Sequence, residues 1–354
     1  MKLLKTSLLA LSGLLLASAP AAAAPAPRGP APKIHITGTA YAFDNQLPIA
    51  GATIRVAELP GARATTAADG TYDLVVPDGA RITPYIRAAG FHGIYLQTFV
   101  AAGRNLRRVN FQVPSVGIYH ALAAVLGVDL DANDNPKRCV VVSTFSTVGV
   151  RDLSFADFIA YGAHGVAGAT ASASPALPDP IYFNSSVIPD VTLTESSVDG
   201  GVVWLDIPGG VYRFSADHPS ARFSSFVATC KPGRLVNANP PQGLYQLKPG
   251  ERPDKRVDAS IASAGLLGAG NGAQTLRLKI RSGEYVLTGV EVLRRGKVIA
   301  RARPGEPVRY RRGSRTIRLP LHHRLGGGAG TLRVTFTDAA GNSRVLKRAL
   351  LPAA

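Results

Sequence analysis

TTAADGTYDLVVPDGARITPYIRAAGF, residues Thr65 to Phe91, sets an aspartate beside a glycine twice and follows each pair with strand-forming residues. Asp69 and Asp78 could be reacting carboxylates or turn residues, and the surrounding pattern decides between the two. Asp69-Gly70 is a hairpin signal, because Gly accepts the positive φ of a tight turn and Asp bonds the local backbone. After it, Tyr72, Leu74 and Val76 fall on one strand face and Thr71, Asp73 and Val75 on the other. Pro77-Asp78-Gly79 then makes a second turn. The carboxylates therefore read as punctuation in a β-sheet.

Working outward, KIHITGTAYA (Lys33 to Ala42) alternates Ile34 and Ile36 with polar neighbours. NQLPIAGATIRVAEL places a Pro48-Ile49-x-Gly51-Ala52 turn before Thr53-Ile54-Arg55-Val56. The order of TGTAYAFDNQLPIAGATIRV, TTAADGTYDLVVPDG and YIRAAGF resembles the carboxypeptidase regulatory-like domain, a small transthyretin-like β-sandwich. The resemblance spans Ile36 to Phe91, with Leu47 standing where that family has Gly. It implies a structural or binding module without catalytic residues of its own.

The middle of the chain, residues 114–247, reads as a second, divergent copy with an insertion. HGVAGATASASP (His164 to Pro175) matches the turn and strand, and SSVDGGVVWLDIPGGVYRFSADH (Ser196 to His218) matches the Asp-Gly, strand, turn, strand order. Between them lies ALPDPIYFNSSVIPDVTLTE, expected to form loops at one end of the sandwich, where ligands bind if they bind at all. Its Tyr182, Phe183 and Asn184 form a candidate ligand loop. SFADFIAYG predicts a short helix with Ser154 as N-cap and Asp157 at N3.

After a charged linker, residues 248–262, the last domain (263–350) alternates cleanly. Leu276, Leu278 and Ile280 face inward and Arg277, Lys279 and Arg281 outward; Leu332, Val334 and Phe336 do the same against Arg333, Thr335 and Thr337. GTLRVTFTDAAGNSRVLKRAL resembles the final hairpin of bacterial immunoglobulin-like domains, with Asp338 to Asn342 as the turn. Arg277, Lys279, Arg281 and Arg333 are expected to make a basic sheet face. The whole chain carries a formal +17, and from Asp258 onward it holds 18 Lys/Arg against 5 Asp/Glu. Such a concentration favours anionic surfaces.

At the other end, Lys2 and Lys5 precede an apolar run from Leu8 to Ala17 and then small residues, which reads as a signal peptide (1–23) followed by an Ala/Pro-rich linker (24–32). No later stretch approaches the roughly 20 apolar residues of a membrane helix, so no transmembrane anchor is expected. The mature chain is placed outside the cytoplasm, secreted, periplasmic or at the cell envelope. The two cysteines, Cys139 and Cys230, then read as one disulfide, since neither has a Cys or His neighbour at zinc spacing.

Other chemistries find only partial motifs in the chain. Asp129, Asp131 and Asn133 begin like a calcium loop, but Asp134 stands where Gly is needed and Val140 where the bidentate Glu belongs, leaving an acidic solvated turn. Tyr161, His164, Tyr182 and His218 invite comparison with intradiol dioxygenases, but the paired-His strand of those enzymes is missing. No Ser sits in a G-x-S-x-G elbow. His322-His323 reads as a loop between basic strands, and Trp204 as a core residue. Tyr285, Tyr310 and Phe336 form no nucleic-acid motif.

The sequence thus predicts an all-β chain of tandem β-sandwiches, two regulatory-like and one immunoglobulin-like. No cofactor, metal or nucleic acid is expected. The expected role is non-catalytic binding of a glycan or other anionic envelope polymer. The alternatives are a secreted enzyme using the insertion from Asp179 to Asp190 with His164 and His218, and a structural spacer.

Overall fold

The structure, a computed structural model, describes residues 32–268, 274–305, 308–321, 325 and 329–351. The segment expected to be a signal peptide and nearly all of the expected Ala/Pro-rich linker, and likewise His322-His323, lie outside the described residues. The described chain is all-β in character, three sandwiches in tandem, each with its own apolar core.

The first sandwich comprises β1 (Lys33–Ala42), β2 (Thr53–Val56), β3 (Leu59–Thr65), β4 (Thr71–Pro77), β5 (Ala80–Ile82), β6 (Pro84–Arg87), β7 (Phe99–Ala101) and β8 (Phe111–Val113). One sheet has the order β4-β1-β8, another β3-β2-β6, and β5 pairs with β7. The alternation in β4 holds: Tyr72, Leu74 and Val76 are buried, and Thr71, Asp73 and Val75 exposed. Full burial of a side chain such as Leu74 contributes about 1.5 to 3 kcal/mol. The Asp69-Gly70 turn also forms, with Gly70 at φ 75° and Asp69 Oδ1 accepting from Thr71 N at 3.0 Å. It does not close a hairpin, because β3 pairs with β2 and β4 with β1, so the turn carries the chain between sheets.

The second sandwich comprises α1 (Val116–Leu126), β9 (Cys139–Thr144), α2 (Phe155–Tyr161), β10 (Thr170–Ser174), β11 (Ile181–Phe183), β12 (Pro189–Asp190), β13 (Gly201–Ile207), β14 (Gly210–Asp217), β15 (Phe226–Cys230) and β16 (Leu235–Ala238). Its sheets run β12-β11-β13-β9-β16 and β10-β14-β15. The first two sandwiches share a pairing pattern. β1 pairs antiparallel with β4 and parallel with β8; β9 pairs antiparallel with β13 and parallel with β16. Ala40 N donates to Gly70 O and Ile49 N to Ala40 O, both at 2.9 Å; Phe145 N donates to Gly200 O and Val166 N to Phe145 O, both at 2.8 Å.

Helix α2 forms as expected, with Asp157 N donating to Ser154 Oγ at 3.2 Å. It packs Phe155 and Phe158 around Tyr41 of the first sandwich. Helix α1 is an element beyond those the sequence predicts. It is capped by Ser115, whose Oγ accepts from Ile118 N, and ended by Gly127 in the left-handed region.

The third sandwich comprises β17 (Ala259–Gly268), β18 (Gln274–Ser282), β19 (Val286–Arg294), β20 (Lys297–Ala302), β21 (Arg315–Leu321), β22 (Gly330–Asp338) and β23 (Ser343–Leu350), in sheets β17-β18-β21 and β20-β19-β22-β23. The closing hairpin pairs Gly330 with Leu350 through to Thr337 with Ser343.

Backbone bonds join all three. Tyr95 N donates to Leu235 O and Asn237 N to Tyr95 O, each at 2.8 Å, and Thr98 N donates to Val227 O at 2.7 Å. Tyr310 N donates to Gly79 O at 2.7 Å, and Tyr285 Oη to Asp78 Oδ2 at 2.9 Å. Arg213 Nε donates to Ala340 O at 3.0 Å.

Candidate functional site

β18 is the central strand of its sheet, so its outward side chains occupy the middle of that face. Leu276, Leu278 and Ile280 are fully buried beneath, while Arg277, Lys279 and Arg281 are exposed. Alternate strand residues stand about 6.6 Å apart, which makes the three cations an evenly spaced row. Across the ladder, Arg277 faces Gly265 and Arg318, Lys279 faces Ser263 and Thr316, and Arg281 faces Ser260. Arg318 is exposed as well. Neither β17, β18 nor β21 contains an acidic residue. Like charges directly opposite one another, as at Arg277 and Arg318, weaken a sheet, and an anion lying between them would reverse that sign.

Arg333 does not belong to this row. It projects from β22, on the outer face of the opposing sheet, where its Nε donates to Glu291 Oε2 at 2.7 Å. Glu291 also meets Arg301 at 2.7 Å, and hydrogen bonding from Arg333 holds its carboxyl below the usual range. Alternation separates inward from outward residues, but it does not say which of two sheets a strand joins.

The insertion became part of the sheet. Ile181 and Tyr182 pair with Val203 and Val202 of β13, and Tyr182 and Phe183 are only 4% and 7% exposed. Tyr182 Oη accepts from Ala171 N at 3.1 Å. Asn184 Oδ1 accepts from Ser186 N and Ile188 N, holding the turn that follows. The two rings are therefore core, and what the insertion exposes is Val187, Ile188 and Val191. Trp204 is likewise buried, against Phe214.

Cys139 and Cys230 form a disulfide that ties β9 in one sheet to β15 in the other. His164 Nδ1 lies 2.8 Å from Gly162 O. His218 Nε2 lies 3.1 Å from Ala167 O, while its Nδ1 accepts from Ser220 N and Ala221 N, so this imidazole organises a turn. Tyr161 is half exposed. In the acidic turn, Asp131 Oδ1 accepts from Asn133 N and Asn135 N, which lowers its carboxyl's proton affinity.

Two features have no signature in any one sequence segment. Carboxylate oxygens of Asp254, Glu284 and Asp338 converge within 4.8 Å of one another. Their visible partners are structural: Asn342 donates to Asp338 through both nitrogens, and Asp258 N donates to Glu284 at 2.5 Å. Burial raises the proton affinity of both Glu284 and Asp338. The second feature is a cleft of about 610 Å³ where the three sandwiches meet, lined by Arg81, Arg213 and Lys255 and by no carboxylate. Arg81 Nε is buried there without a hydrogen-bond partner, and Arg213 is held by neutral acceptors, among them Ser225 Oγ and Asp254 O.

No family model matches the chain, and no curated protein matches it. Among solved structures it is similar to the human Desmocollin-1 ectodomain, with 9% identity and a TM-score of 0.18 over 91% of this chain and 58% of that one. The chain thus spans a little over half the length of that protein, and a likeness at this level carries no functional argument.

Proposed function

We propose that this chain is an exported binding protein for an anionic glycan or a similar acidic envelope polymer. The reading includes two carboxypeptidase regulatory-like modules, the second divergent, followed by an immunoglobulin-like module. It works without a catalytic step. The observation that carries it is the outer face of β17-β18-β21, with Arg277, Lys279, Arg281 and Arg318 exposed and no acidic residue in its strands. A row of unneutralised cations attracts a polyanion at long range and is screened beyond about 8 Å at physiological ionic strength. The disulfide supports an oxidising compartment. The junction cleft adds three further cations, where a chain end or an acidic side group could lodge.

The test is retention of the mature protein on immobilised polyuronate and on neutral dextran, at low and high salt. Binding to the polyuronate alone, eluted by salt and weakened in the Arg277→Gln/Lys279→Gln/Arg281→Gln variant, is the expected outcome. Binding indifferent to salt, or unchanged in that variant, would sink the reading.

A further inference from the structure

Three segments each send one cation into the cleft where the sandwiches meet: Arg81 from β5, Arg213 from β14 and Lys255 from the stretch before β17. Bonds that cross module boundaries fix the two arginines. Arg81 N donates to Val308 O at 3.2 Å, beside the bond from Tyr310 N to Gly79 O, and Arg213 Nε donates to Ala340 O at 3.0 Å.

Both arginines keep donors to spare. Arg81 Nε is sealed from solvent, but its two terminal nitrogens are open and, among the described residues, have no hydrogen-bond partner. Arg213 Nη1 is in the same state, while its Nε and Nη2 are engaged. Lys255 is exposed. Among the described residues, none of the three cations has a carboxylate oxygen within 4.0 Å. Asp254 and Asp338 do not line the cleft, and Asn342 Nδ2 donates to them at 3.1 and 2.8 Å. The rest of the wall is mixed. Tyr310, Ser174 and Thr337 bring hydroxyls, the first without a partner among the described residues, and Val100, Val211 and Val227 bring an apolar side.

We infer that this cleft binds a small phosphate monoester, its charged head on Arg81, Arg213 and Lys255 and its organic body along the valines. A guanidinium fork matches phosphate oxygens in pairs, and a monoester phosphate carries close to two charges and three strong acceptors at neutral pH. A carboxylate brings one charge and two oxygens in a plane, and leaves cations here unanswered. The volume argues for the body. About 610 Å³ lies within the range of roughly 300 to 1,000 Å³ typical of small-molecule pockets and far exceeds a bare ion. The site shares no residue with the row on β18, so it stands or falls apart from polyuronate binding by that row.

Calorimetric titrations of the mature protein with glucose 6-phosphate, inorganic phosphate and glucose test it. Glucose 6-phosphate should bind saturably and glucose should not, while inorganic phosphate competes for the same site more weakly. Arg81→Gln should weaken glucose 6-phosphate about tenfold or more, the worth of a hydrogen bond to a charged group. Lys255→Gln, on an exposed side chain, serves should Arg81→Gln not fold, and a loss of several-fold is then expected. The Arg277→Gln/Lys279→Gln/Arg281→Gln variant should bind as the native protein does. Absence of saturable binding by glucose 6-phosphate, binding unmoved in both cleft variants, or binding lost in the β18 variant would each overturn the proposal. Inorganic phosphate binding as tightly as glucose 6-phosphate would overturn the place given to the organic body.

Discussion

The hydroxyls of Thr66 and Ser196 hold equivalent positions in two different sandwiches. Thr66 Oγ1 accepts from Ala52 N at 2.8 Å and donates to Ile49 O at 2.6 Å; Ser196 Oγ accepts from Ala169 N at 2.9 Å and donates to Val166 O at 2.7 Å. Each clamps the Gly-Ala turn to the segment before the Asp-Gly turn. The glycine follows the clamp by four residues in both sandwiches, Thr66 to Gly70 and Ser196 to Gly200, but the insertion has widened the loop preceding Ser196. Because Ala52 and Ala169 are buried, Thr66→Ala and Ser196→Ala should each cost about 1 to 3 kcal/mol in urea unfolding. Thr66→Ser and Ser196→Thr keep the hydroxyl and should cost less.

The disulfide closes a span of 91 residues. In the chain-entropy account a loop of that length is stabilised by about 4 to 5 kcal/mol. Reduction, or the Cys139→Ala/Cys230→Ala variant, should lower the unfolding midpoint accordingly, with the two treatments agreeing. A midpoint unmoved by reductant would mean the link contributes nothing to stability.

His92 makes stability depend on pH. Burial, helped by Arg87 and His120 and opposed by Asp134, pushes its imidazole down to about 4 from 6.5. The unfolded chain therefore protonates first. The contribution is fully present above pH 6.5, is lost as pH falls from there to about 4, and changes no further below that. Its size is up to about 3 kcal/mol. Subtracting the melting profile of His92→Phe from that of the native protein should leave a slope confined to this window.

The two outer faces of the third sandwich should behave differently. Arg277→Gln and Arg281→Gln should each weaken polyuronate binding and flatten its salt dependence. Arg333→Gln should leave both unchanged, because Arg333 projects from the opposing sheet, away from the row on β18, and is engaged with Glu291. Equal losses from all three would mean that total charge, and not the row on β18, governs binding.

Gly79 sits at φ 74°, and a Cβ there would stand 2.3 Å from Tyr310 O. Gly79→Ala should break the backbone bond between the first and third sandwiches and cost about 2 kcal/mol or more. Limited proteolysis should then release the third sandwich, which stays attached in the native protein.

Turns and alternating strands were the legible part of the sequence, because Asp-Gly, Pro-x-Gly and period-two burial are local signals. Partners were not local. Asp69-Gly70 marks a turn without saying that its strands go to different sheets, and Arg333 alternates like Arg277 while facing the other way. Helix α1 escaped for another reason. Tyr119, Leu122, Ala123 and Leu126 form its inner face at helical spacing, but Val116, Ala121, Ala124 and Val125 are exposed and just as apolar, so the contrast that reveals an amphipathic helix is missing. Its caps, Ser115 and Gly127, were the available signal. Tyr182 and Phe183 belong to a three-residue strand, too short for any period to show, and the junction cleft draws its residues from all three sandwiches.

Tyr95 bonds through both its amide and its carbonyl to β16, the last strand of the five-stranded sheet. A sheet edge left bare is a template for another chain, and here the neighbouring module covers it. Damage that loosens the first sandwich would therefore uncover an aggregation seed on the second. Heat or oxidation striking one end of this protein should register as intermolecular β-pairing from its middle.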